Sequence, residues 1–158
     1  MGESSHYLIS HVPFAKELQM TITKGETGRI EALLPYQDRL VGNPLTGVLH
    51  GGAVTAFLDN ICGAAVVSAL DEPTPIATLD LRIDYMRPAE AGADIHAITE
   101  CYKKTRQIAF VRGHAYTTDP SDPVAHCTGT FMLGANRAKP VQSPYSDVLE
   151  SARQEHSE

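Results

Sequence analysis

The sequence predicts an α+β domain, one long apolar helix wrapped by a single curved antiparallel sheet of about six strands. Three observations lead there. Residues 51–70, rich in Ala and closed by Asp71-Glu72-Pro73, are apolar nearly all round and fit one helix of about five turns that other structure must cover. Two strand-like segments precede this run and four follow it. No second helix is large enough to cover another sheet face, so the strands have only this one to enclose.

Taken in order, residues up to about 18 fit a short helix interrupted at Pro13. The alternation in QMTITK from Gln19, a turn at Lys24-Gly25 and the alternating GRIEALLPY predict a β-hairpin. Residues 37–49 carry Gly42, Asn43, Pro44 and Gly47 and read as a loop leading into the helix. After the helix, strands are expected over 76–86, 94–104, 107–118 and 124–133. In the first of these, Leu79, Leu81, Ile83 and Tyr85 alternate with Asp80, Arg82 and Asp84, giving one buried face and one wet face. Short turns between the last strands imply an antiparallel meander. The domain spans 1–135, its core running from about 19 to 135, and the polar residues 136–158, with Pro140 and Pro144, form a tail.

Lys and Arg number 13 against 19 Asp and Glu, a formal charge of -6, so no sequence-wide basic footprint exists for phosphate neutralisation and nucleic acid is not an expected partner. The opening MGESSHYLIS has neither a basic nor an apolar leader region, and a cytoplasmic location is expected. Asp59 and Asn60 interrupt the apolar run near its middle, which makes it a core helix rather than a membrane span. Cys62, Cys101 and Cys127 lack CxxC or Cys/His ligand spacing and are expected as buried free thiols, outside any disulfide framework. The 7 histidines make no HExxH or H-x-E pattern, so no metal is expected; GxSxG and GxxxxGK[ST] are absent as well.

The chemistry centres on Asp59. An unpaired carboxylate in an apolar helix is costly to bury, and its neighbours at helical spacing, Thr55, Ala56, Cys62 and Gly63, are small enough to leave room for a ligand or a second backbone. Gly51-Gly52 stands at the expected helix start, where the first N–H groups lack intrahelical partners and the macrodipole is positive. Those donors could hold a carbonyl oxygen as it becomes an oxyanion, or the glycines could serve only the turn into the helix. His50 precedes them, either as an acid or base or, the better-supported reading, as a residue that orients the loop through backbone hydrogen bonds.

LHGGAVTAFLDN, residues 49–60, and LRIDYMRPAEAG, residues 81–92, resemble the hotdog-fold acyl-CoA thioesterases of the 4-hydroxybenzoyl-CoA and phenylacetate-degradation type. The resemblance extends over about 28–133 and agrees with the predicted order of elements, the helix as the sausage and the sheet as the bun. It implies that Asp59 is the catalytic carboxylate, as general base on water or as nucleophile. Gly51 is then the glycine whose N–H polarises the thioester carbonyl, and Thr78, seven residues before Tyr85, the residue that helps place the water. The family's carbonyl-binding Asn or Gln falls six residues before the His, where this chain has Pro44, with Asn43 one place earlier. Gly52, Arg87, Lys103, Lys104 and Arg106 are candidates for binding substrate, the last three as a basic cluster that meets coenzyme A phosphates or is simply a solvated hairpin tip. Phe57, Tyr85 and Met86 are expected in the core.

The implied activity is hydrolysis of an acyl-CoA thioester to free acid and coenzyme A, with no cofactor beyond the coenzyme A of the substrate. The alternative is a non-catalytic hotdog sensor or carrier that binds acyl-CoA, which would have no need of a buried carboxylate. A hotdog dehydratase would want a catalytic His on the helix, and none lies within 53–70. Gly51 and Asp59 are eight residues apart, about 12 Å along one helix, too far for both to act on one carbonyl. Two antiparallel helices from symmetry-related chains would join Gly51 of one to Asp59 of the other, so a homodimer with shared sites is expected. The resemblance adds that such dimers often pair again into tetramers.

Overall fold

The computed structural model describes residues 12–72 and 74–135. A short helix α1 (Pro13–Glu17) precedes a hairpin of β1 (Thr21–Glu26) and β2 (Arg29–Leu34). A small ribbon of β3 (Val41–Asn43) and β4 (Val48–Leu49) leads into the long helix α2 (Gly51–Ser68). Four strands follow: β5 (Ile76–Tyr85), β6 (Ile95–Lys104), β7 (Ile108–Tyr116) and β8 (Ala125–Leu133). Six strands form one antiparallel sheet in the order β1-β2-β6-β7-β8-β5, and α2 packs against β2, β5, β6, β7 and β8. This is the hotdog fold, one helix in one curved sheet.

Alternation builds the inner face. Ile30, Ala32 and Leu34 of β2, Ile95 and Ala97 of β6, and Ala109, Val111 and Ala115 of β7 are buried. They enclose Phe57, Leu58, Ile61 and Val66 of α2, also buried. Many of these sheet residues are Ala, which allows the helix to lie close. Each large apolar side chain so enclosed contributes on the order of 2 kcal/mol relative to exposure. Polar ties fix the helix lengthwise: Thr99 Oγ1 donates to Ile61 O at 3.1 Å, and Ser68 Oγ accepts from the Gly28 N–H at 3.0 Å. Lys104 Nζ donates to Ala69 O at 2.6 Å, satisfying a carbonyl at the negative end of α2. By length and composition α2 could cross a membrane, but half of its residues are buried inside the fold.

Several expectations change. Pro13 begins α1 instead of interrupting a helix, because the first helical position needs no N–H; residues 1–11 and the tail 136–158 lie outside the described residues. The hairpin turns at Thr27-Gly28, not Lys24-Gly25, since Gly28 takes the left-handed φ of 75° that the tight turn demands. Residues 37–49 are not plain loop, as they hold a 3-10 turn (Asp38–Leu40) and the β3–β4 ribbon. Only β6, β7 and β8 form a meander, while β5 lies at the far edge against β8. A bulge between Thr78 and Asp80 breaks the alternation of β5, leaving Leu79 53% exposed and turning Thr78 to the helix side with Leu81 and Ile83. Cys101 is partly exposed; Cys62 and Cys127 are buried as a pair of free thiols 3.7 Å apart. The Cys62 thiol is pushed well up from its ordinary range by its hydrogen bond to Cys127 and by burial.

Candidate active site

The start of α2 is built by His50 and two glycines. His50 is the N-cap, and its Nδ1 accepts from the Gly52 N–H at 2.9 Å. That bond uses the Gly52 donor. Among the described residues the Gly51 N–H has no acceptor, so it is the donor left at the positive end of the helix. Beside it the Tyr85 hydroxyl donates to Gly51 O at 2.6 Å and lies 3.0 Å from Thr55 Oγ1. Val48, Val54, Tyr85, Met86, Pro88 and Val124 are among the residues that line a mainly apolar cleft of about 370 Å³ beside Gly51.

Asp59 sits two turns further along α2, partly buried, and accepts from Thr78 Oγ1 at 3.0 Å. The carboxylate is thus not unpaired. A hydroxyl from β5 orients it, and the bulge beside Thr78 is what aims that hydroxyl. Its neighbour Asn60 folds back on the helix, Nδ2 donating to Ala56 O at 2.9 Å, and takes no part. The structure therefore joins Asp59 to Thr78, and Gly51 and Gly52 to His50, within one chain. Gly51 and Asp59 remain about 12 Å apart along the helix.

Of the other expected site residues, only Arg87 lines this cleft. Asn43 Oδ1 accepts from the Leu45 N–H at 3.0 Å, closing the β3–β4 turn. Arg87 lines the cleft, where Glu90 Oε1 at 2.9 Å and Asp122 Oδ2 at 3.0 Å hold it. Lys104 caps α2 and pairs with Asp71 at 3.1 Å. Lys103 and Arg106 are exposed on the same hairpin tip, which meets the C-terminal end of α2, about 25 Å along the helix from Gly51. Phe57 is in the core, whereas Tyr85 and Met86 are 51% and 62% exposed and line the cleft. Nothing in the alternation of β5 separates them from core residues. Among the described residues, no group of three or more His, Cys, Asp or Glu side chains is placed to hold a metal.

With this geometry in place, the similarities to known proteins become informative. The sequence profile of the thioesterase superfamily matches residues 46–124. The chain is 27% identical over 139 residues to the medium/long-chain acyl-CoA thioesterase YigI of Salmonella typhimurium, covering 80% of this chain and 88% of that protein. A crystal structure of a Pseudomonas aeruginosa protein, 40% identical, superposes with a TM-score of 0.75 over 82% of this chain and 96% of the other. The Escherichia coli PaaI protein from the phenylacetic acid degradation operon, 18% identical, shares the fold, with a TM-score of 0.74 over 83% of this chain and 91% of its own. Fold, profile and relatives define a thioester hydrolase of hotdog architecture. The chain belongs to the thioesterase superfamily.

Proposed function

We propose that this protein hydrolyses acyl-CoA thioesters to free acid and coenzyme A, with the Gly51 N–H as oxyanion donor and Asp59 as the carboxylate that brings the nucleophile. The observation that carries the proposal is one helix presenting, at its positive end, an N–H with no acceptor among the described residues and, two turns on, a carboxylate oriented by Thr78. As general base, Asp59 takes a proton from water as the oxygen attacks the thioester carbon. The carbonyl oxygen becomes an oxyanion on the Gly51 N–H, the C–S bond breaks, and the departing thiolate takes up a proton. As nucleophile, Asp59 would attack that carbon directly and water would then cleave the mixed anhydride. YigI is named for medium and long acyl chains, and the apolar wall of the cleft supports the same substrate class here.

The working unit in this reading is a homodimer. Leu79, Tyr85 and Met86 expose apolar surface on and beside β5, whose outer edge has no strand partner among the described residues, and a second copy would cover both. Antiparallel α2 helices would then set Gly51 of one chain beside Asp59 of the other. The test is release of free thiol from a panel of acyl-CoAs. Wild type should turn over and Asp59→Asn should be slower by about a hundredfold or more; binding of acyl-CoA without turnover by wild type would make the protein a sensor or carrier instead.

A further inference from the structure

We propose that Tyr85 is a positioning residue, its hydroxyl holding the Gly51 carbonyl so that the Gly51 N–H keeps its direction toward the cleft. The inference rests on the reading of Gly51 as oxyanion donor given above and extends it to a residue on another element. The peptide unit that joins Gly51 to Gly52 is held by a side chain at each end. At its carbonyl, Tyr85 donates to Gly51 O at 2.6 Å; at its N–H, Gly52 donates to His50 Nδ1 at 2.9 Å. A peptide unit is planar, so anchors on its two edges fix its orientation as a whole, and with it the first turn that carries the Gly51 donor. The phenol has a single proton. That proton goes to Gly51 O, so in the 3.0 Å contact with Thr55 the threonine hydroxyl is the donor and Tyr85 the acceptor, a relay running Thr55 to Tyr85 to Gly51.

The same contacts account for both glycines. A Cβ on Gly51 would stand 3.2 Å from Tyr85 Oη, and a Cβ on Gly52 would stand 2.9 Å from His50 Nδ1. Each glycine clears the space taken by the side chain that holds its peptide group. Clearing it has a cost, because glycine is the least restrained residue and a pair of them at a helix start favours fraying. A donor that stabilises a developing charge must be fixed before the reaction. Tyr85, reaching over from the end of β5, supplies the direction that two glycines alone would lose.

Tyr85→Phe keeps the ring and removes only the hydroxyl, while Tyr102→Phe, at an exposed tyrosine of β6, serves as control. With decanoyl-CoA as substrate, Tyr85→Phe is expected to lower kcat about tenfold and to change KM less than about twofold, the size of one lost hydrogen bond felt in the transition state. The control should match wild type. In ¹⁵N-labelled protein the Gly51 and Gly52 amide resonances of Tyr85→Phe should shift and the Gly52 amide should exchange faster with solvent. The amide measurement needs no turnover. If wild type hydrolysed no acyl-CoA, the thioesterase reading would fall while displaced, faster-exchanging glycine amides would still uphold the clamp. Unmoved glycine amides, or a wild-type kcat in Tyr85→Phe, would overturn it.

Discussion

At the start of α2 a single imidazole takes one of two adjacent N–H groups. His50 Nδ1 accepts from the Gly52 N–H, and the Gly51 N–H has no acceptor among the described residues. A residue that acts by capping differs from an acid or base in what can replace it, since Asn accepts the same bond at an N-cap but moves no proton at neutral pH. His50→Ala is therefore expected to lose about 1 kcal/mol of stability, seen as a lower melting temperature, and to slow thiol release. His50→Asn should recover most of both. An Asn variant as slow as the Ala variant would assign His50 to proton transfer. The residues of this end were legible in unequal degree: Gly51, Gly52 and Asp59 stand out because glycine pairs and helix-borne carboxylates are rare in an apolar run. Thr78 is known only from the family pattern, and Tyr85, a residue that suits any half-buried strand, gives no local signal at all.

Among the strands, His114 of β7 shows how the outer face of the sheet answers to pH. It lies opposite Ile98 of β6 and His126 of β8, with the Arg112–Glu100 pair, Arg29 of β2, Asp84 of β5 and the stacked His96 and Tyr116 on the same face. Burial, then the nearby His126 and Arg29, hold the His114 pKa below its ordinary value. The unfolded chain therefore binds a proton at a higher pH than the fold does, and stability drops as pH falls through the window that begins near the ordinary histidine value of about 6.5. Melting temperatures measured from about pH 7 down to about 5 should decline for wild type and decline less for His114→Gln; equal slopes would remove His114 from the effect. The strands of this face were legible because alternation runs through most of their length, a register shift between Cys101 and Lys103 of β6 aside, so β6, β7 and β8 begin and end within two residues of expectation. The place of β5 was not, because which strand pairs with which is a long-range matter that periodicity does not encode. The bulge in β5 was hidden for a related reason: one extra residue leaves composition and length unchanged while reversing every side chain beyond it.

For the molecule as a whole, the decisive quantity is the span between Gly51 and Asp59, about 12 Å on a straight helix. Complementation measures whether two chains bridge it. Asp59→Asn and Gly51→Pro should each be inactive, the second because proline at the first helical position lacks the N–H; its ring also enters the space beside Tyr85 Oη, so circular dichroism checks its fold before mixing. Mixed in equal amounts and allowed to exchange, they should regain about a quarter of wild-type activity, since half the dimers are mixed and each mixed dimer has one intact site of two. No recovery despite exchange would place the whole site in one chain. The β5 bulge also sets a rule of parity for this architecture. Thr78 and Tyr85 are an odd seven positions apart, yet both reach the helix, one at Asp59 and the other at Gly51. A regular strand shows the same face only at even separations, so the single bulged residue is what makes an odd count work. Insertion or deletion of one residue between them turns one partner to the other face, whereas two such changes restore the match. The turns at 105–106 and 119–123 lie outside this stretch, so a change in their length leaves the pairing of Thr78 and Tyr85 with the helix in phase.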